Sequence, residues 1–139
     1  MAYSSIIKPS DYFNTKLYTG NGGSSTDSIT GINFQPDWVW IKARNNTYNH
    51  NLYDSVRSLS SGAILSNSTA AQDSTQRISS FDSDGFTLPA TNYTYVNASG
   101  TNYVAWNWKA NGAGVSNTDG SITSTVSAST TSGFSIVTY

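Results

Sequence analysis

The chain has 139 residues, a formal net charge of −1 and only 11% charged residues, the length of one ordinary domain able to enclose a core without metal or covalent staples. That balance excludes a basic field for nucleic acid and an acidic tail, and the absence of cysteine removes disulfides, thiolate metal sites and cysteine nucleophiles together. Every acidic residue is Asp, none is Glu, and Ser, Thr, Asn and Gly fill much of the rest, a makeup that favours turns and strand surfaces over helices.

Residues 1–11 read as an N-terminal arm, with no apolar run long enough for the core of a signal peptide. Nowhere do about 18 apolar residues run uninterrupted, so no membrane insertion is expected. Alternation bounded by turn residues predicts strands over 12–19, 28–34, 37–43, 51–56, 62–66, 75–81, 85–88, 93–96 and 101–110, then over 121–127 and 134–139. The glycine-rich "YTGNGGSS" lacks the lysine of a phosphate loop and precedes no helical pattern, so it reads as a hairpin turn. "DSVRSLSSGAIL" has room for one short helical turn, which its serines and glycine oppose.

Short strands at a spacing of about 8 to 12 residues, separated by Gly, Asn, Asp and Ser, predict an all-β fold: an antiparallel two-sheet β-sandwich, jelly-roll-like, with little helix. The sandwich is expected over 12–110. Residues 111–132, rich in Ser, Thr and Gly, read as a connector or an edge strand. Residues 133–139 read as the start of a further strand or repeat, because "FSIVTY" repeats the aromatic start and closing tyrosine of "FNTKLY".

Two segments carry tryptophans spaced i, i+2, so that both rings of a pair leave the same face of an extended strand. In "YVAWNWKA", Val104, Trp106, Trp108 and Ala110 share one face, and their bulk marks it as the inner one, anchoring the core between the sheets. In "DWVWIKA" the choice is open, since Val39, Ile41 and Ala43 form a complete apolar face opposite Trp38, Trp40 and Lys42. With Val39 and Ile41 inside, Trp38, Trp40 and Lys42 form a ligand or subunit interface suited to a neighbouring subunit, the next domain or a sugar ring.

Catalytic groups are sparse. Without Glu, the only close carboxylate pair is Asp82 and Asp84 in "FDSDGF", where Asp-Gly is first a turn signal and the further ligands of a calcium loop are missing. His50, the single histidine, lies near Asp54 and Ser55 without a nucleophile elbow. No catalytic residue, metal site or cofactor is therefore expected, and the four glycosylation sequons at Asn45, Asn67, Asn92 and Asn97 follow from a chain rich in Asn, Ser and Thr.

The segments "YFNTKLYTGNG", "GINFQPDWVWIK", "NLYDSVR", "SFDSDGFTL", "NASGTNYVAWNWKA" and "DGSITSTVSASTTSGFSIVTY" together resemble the repeated β-rich domain of tailed-bacteriophage virion proteins, common in marine phages and usually labelled tail fibre or structural protein. The resemblance spans nearly the whole chain. It implies a non-enzymatic virion protein at the particle surface, a tail fibre or receptor-binding appendage domain in host attachment, with capsid decoration as the alternative. Its implied partners are other virion proteins, further copies of itself in a homo-oligomer such as a trimer, and a host surface glycan or receptor.

Overall fold

The computed structural model describes residues 8–139, so the expected arm lies outside it except for its end, where Pro9–Asp11 form a single 3-10 turn. Three antiparallel sheets follow. The largest has the order β1-β8-β3-β4-β5, built from β1 (Phe13–Thr19), β3 (Trp38–Ala43), β4 (Asn51–Asp54), β5 (Ile64–Leu65) and β8 (Asn102–Trp108). A second sheet, β2-β7-β6, joins β2 (Asp27–Ile29), β6 (Ser80–Asp82) and β7 (Gly85–Leu88). A third, β11-β10-β9, is formed by β9 (Val115–Asn117), β10 (Ser124–Ser129) and β11 (Phe134–Thr138).

The protein is thus an all-β antiparallel sandwich. Its first strand pairs with β8 and its second with β7, the inward winding of a jelly roll. Val39, Ile41 and Ala43 of β3 and Tyr103 and Ala105 of β8 lie in one buried cluster with Ile29, Phe86 and Leu88 of the second sheet and with Val96. This cluster of branched and aromatic side chains is the main source of stability, because each removes a large apolar surface from water.

Several sequence expectations need correction. The strand expected over 28–34 ends at Ile29: Gly31 and Asn33 take φ of 80° and 72°, and their N–H groups donate to the Asp84 carboxylate at 2.9 and 2.6 Å. Those two bonds hold the Asp84 carboxyl below its usual range and make "DSDG" part of a loop clasp. The glycine-rich stretch after β1 is not a hairpin turn, since β1 and β2 belong to different sheets. Residues 93–96 do not form a strand; Thr94–Asn97 form one helical turn, α1. Within 111–132, expected as a connector or an edge strand, lie β9, at the edge of the third sheet, and β10, at its centre.

The largest correction concerns the second tryptophan pair. Tyr103, Ala105 and Asn107 point into the core and are fully buried, while Trp106 and Trp108 lie on the opposite, outer face and are only partly covered. The ladder decides the matter. β8 pairs Ala105 with Ile41 and Asn107 with Val39, so the inner face of β3 and the inner face of β8 are one surface. All the tryptophans are thereby sent to the other side.

The interior polar groups include the tyrosines Tyr53 and Tyr103 and the asparagines Asn51, Asn97 and Asn107. Burial pushes the Tyr53 hydroxyl up to about 12 and raises those of Tyr18 and Tyr103 as well. A phenol whose folded value exceeds its unfolded value of about 10 keeps its proton in the native state after the unfolded chain has lost it. Stability is therefore retained below about pH 10 and falls as pH rises toward 12. Urea midpoints measured from pH 8 upward are expected to decline steeply only above about pH 10. A flat profile to pH 12 is the contrary result.

Candidate functional site

The outer face of the large sheet is built by three neighbouring strands. In the β3–β8 ladder Trp38 stands opposite Trp108 and Trp40 opposite Trp106; β1 continues the face with Phe13 beside Trp108 and Thr15 beside Trp106, then Leu17 beside Val104. Strict alternation places them all on one side. Phe13 and Leu17 are 40% and 55% exposed, whereas Leu52 of β4, opposite Trp40 at the other margin, is buried. A patch of such apolar side chains is the kind of surface that soluble proteins leave open chiefly for association.

The rings are held in defined positions. Trp40 and Trp106 meet edge to face at 5.7 Å, and Trp108 lies between Phe13 at 4.8 Å and Phe134 of β11 at 6.2 Å. The third sheet thus leans one aromatic onto the end of the face. Trp40, Trp106 and Trp108 line a shallow depression of about 260 Å³.

Two polar side chains bordering this face, His50 and Lys42, are already engaged. The Trp40 indole N–H donates to Nδ1 of His50 at 3.0 Å, and burial, with Lys42 nearby, lowers the imidazole pKa. Lys42 turns its ammonium back onto the carbonyls of Ala43 and Asn46, at 2.6 and 2.8 Å. With few free donors or acceptors, the depression fits an apolar protein side chain better than a hydroxyl-rich sugar, whose oxygens would lose water without replacement.

Trp38, Trp40 and Lys42 therefore share the outer face, but they do not form one pocket: Trp40 lines the depression and Trp38 does not. The residues missed were Trp106 and Trp108, with Phe13 and Leu17 beside them. The signal that identifies them is the apolar Val39/Ile41 face of the adjacent strand, which orients the whole ladder.

The remaining candidates disperse. His50 serves Trp40, Asp54 accepts from Arg57 Nε at 2.6 Å, and Ser55 donates to the Gly112 carbonyl at 2.7 Å. They form no relay. Asp82 accepts from the Thr87 hydroxyl at 2.6 Å while Asp84 holds the 31–33 loop. Among the described residues no group of three His, Asp or Glu side chains is placed to hold a metal ion, and no helix is long and apolar enough to cross a membrane.

Fold and surface together define an all-β sandwich domain with an aromatic outer sheet face. Residues 8–139 match the family described as Domain of unknown function (DUF7483), and the chain belongs to it. No curated relative and no solved structure matches the chain.

Proposed function

We propose that this chain is a non-enzymatic structural protein of a bacteriophage virion, a tail-fibre or receptor-binding appendage domain involved in host attachment, which assembles through the aromatic outer face of its large sheet. The observation that carries the assembly role is the cluster of Trp40, Trp106 and Trp108, flanked by exposed Phe13 and Leu17. Aromatic side chains dominate association energies because they bury much area at small entropic cost. The virion assignment is supported by the ordered motifs from "YFNTKLYTGNG" to "GFSIVTY". The occupant of the face is a further copy in a homo-oligomer, for which threefold symmetry suits a fibre, or a neighbouring virion protein.

Labelled antibody against the chain, viewed on intact particles by electron microscopy, is expected to mark the tail. Label repeating over the head lattice would favour a capsid decoration protein, and no label on any particle would end the virion reading. The assembly role has its own test. Trp40→Ala with Trp106→Ala is expected to shift the mass seen by light scattering toward monomer while the melting transition stays cooperative. Assembly equal to that of the parent chain would remove the face from the interface.

A further inference from the structure

On the other side of the large sheet, α1 packs with Val96 into the core, and the segment around it forms one wall of an open cleft of about 440 Å³. Tyr48, from the β3–β4 connection, Tyr93 and Tyr95 supply three half-buried rings, and Asn92 and Thr94 add an amide and a hydroxyl at the rim. At the base lies Arg77, only 7% exposed, its guanidinium 5.1 Å from the Tyr95 ring centre and 5.8 Å from that of Tyr93. Tyr48 and Tyr95 meet edge to face at 6.1 Å.

The wall is held rigidly from beneath. The buried Tyr103 hydroxyl donates to the Thr94 carbonyl at 2.6 Å and accepts from the Ala98 N–H at 2.9 Å, and the Tyr18 hydroxyl donates to the Val96 carbonyl at 2.8 Å. Two sheet strands thus devote their core tyrosines to fixing one loop. Asn97, also fully buried, ties the same turn to the glycine-rich loop by donating to Asn21 and accepting from its N–H, at 3.0 and 2.9 Å. A cleft fixed in advance loses little freedom when it binds, which raises affinity for a small ligand.

Charge narrows the ligand. Asp73 pairs with Arg77 at 2.5 Å, so the base carries no net charge and gives an anion no preference. The mixed lining of ring faces, hydroxyls, an amide and a guanidinium matches a molecule whose own surface alternates C–H faces with hydroxyls. We propose that the cleft formed by Tyr48, Arg77, Asn92, Tyr93, Thr94 and Tyr95 is a binding site for a neutral pyranose saccharide, with a tyrosine ring against one sugar face and Asn92 and Thr94 bonding its hydroxyls. This site is separate from the tryptophan face and does not depend on the assembly role proposed for that face.

Saturation-transfer NMR of the full chain with millimolar maltose, lactose and N,N′-diacetylchitobiose tests it. At least one sugar is expected to receive transfer at its ring C–H protons, with binding weakened about tenfold by Tyr95→Ala. Asn92→Ala, at an exposed position, is expected to weaken binding with the melting temperature unchanged, which keeps the test valid should the tyrosine variant lose its fold. The Trp40→Ala, Trp106→Ala chain is expected to bind sugar as the parent does. Absence of transfer for all three sugars overturns the proposal, as does transfer that survives Asn92→Ala and Tyr95→Ala or vanishes in the tryptophan variant.

Discussion

Phe86→Ala is expected to destabilise the domain by about 3 to 5 kcal/mol, the range for removing a large aromatic side chain from a closed core. Phe86 sits in the central strand of the second sheet, opposite Ile29 on one side and Phe81 on the other. It is fully buried and meets Tyr18 of the large sheet edge to face at 6.3 Å. Its ring is therefore a main bridge between the two layers, and neighbours fixed in two ladders have little freedom to collapse into the void. Urea unfolding followed by far-ultraviolet circular dichroism measures the loss. A change below about 1 kcal/mol would mean that the layers are held together elsewhere.

Gly85→Ala is expected to cost at least about 3 kcal/mol, for two reasons that add. Gly85 takes φ of 153°, a conformation that residues with a side chain rarely adopt. A β-carbon there would also lie 1.9 Å from the Ile29 carbonyl oxygen, on the backbone of the adjacent β2 strand. That oxygen belongs to the ladder joining β2 to β7 and has no flexible end to swing aside. Relief would require moving β2 and the loop that Asp84 clasps. The same unfolding measurement serves, and a loss below about 1 kcal/mol would show that the strand edge yields.

The contrast between β3 and β8 shows what sequence can and cannot convey. Alternation in "DWVWIKA" and "YVAWNWKA" located both strands, because residues two apart must share a face. It gave no sign of which face is inside. Judged alone, β8 favours its tryptophans by size, yet the paired β3 offers Val39 and Ile41, which are better suited to a dry core, and register compels both strands to agree. Asn107 then enters the interior, where its side-chain amide donates to the carbonyls of Ala105 and Asn14 at 3.0 and 3.2 Å. A buried asparagine is a feature that residue type alone argues against.

The turn at Thr94–Asn97 was hidden for another reason. "YTYV" has the residues and alternation of a strand. Its backbone carbonyls are instead captured by the hydroxyls of Tyr18 and Tyr103, one of them 78 residues away from its acceptor. Local preference yields here to distant hydrogen bonds. Arg77 was obscure likewise, since only the folded chain brings it beneath Tyr93 and Tyr95.

Because Trp38, Trp40, Trp106 and Trp108 are the only tryptophans and all lie on the outer face, the indole chromophores of this protein report on one surface alone. Their fluorescence, and its accessibility to a soluble quencher such as acrylamide, reads whether that surface is wet or covered. The core is optically a tyrosine core, with Tyr53 and Tyr103 inside and Tyr18 stacked on Tyr103 at its edge, all visible in near-ultraviolet dichroism. Coverage of the face and loosening of the interior thus give distinct signals in the unlabelled chain, and the two events can be followed separately in one sample.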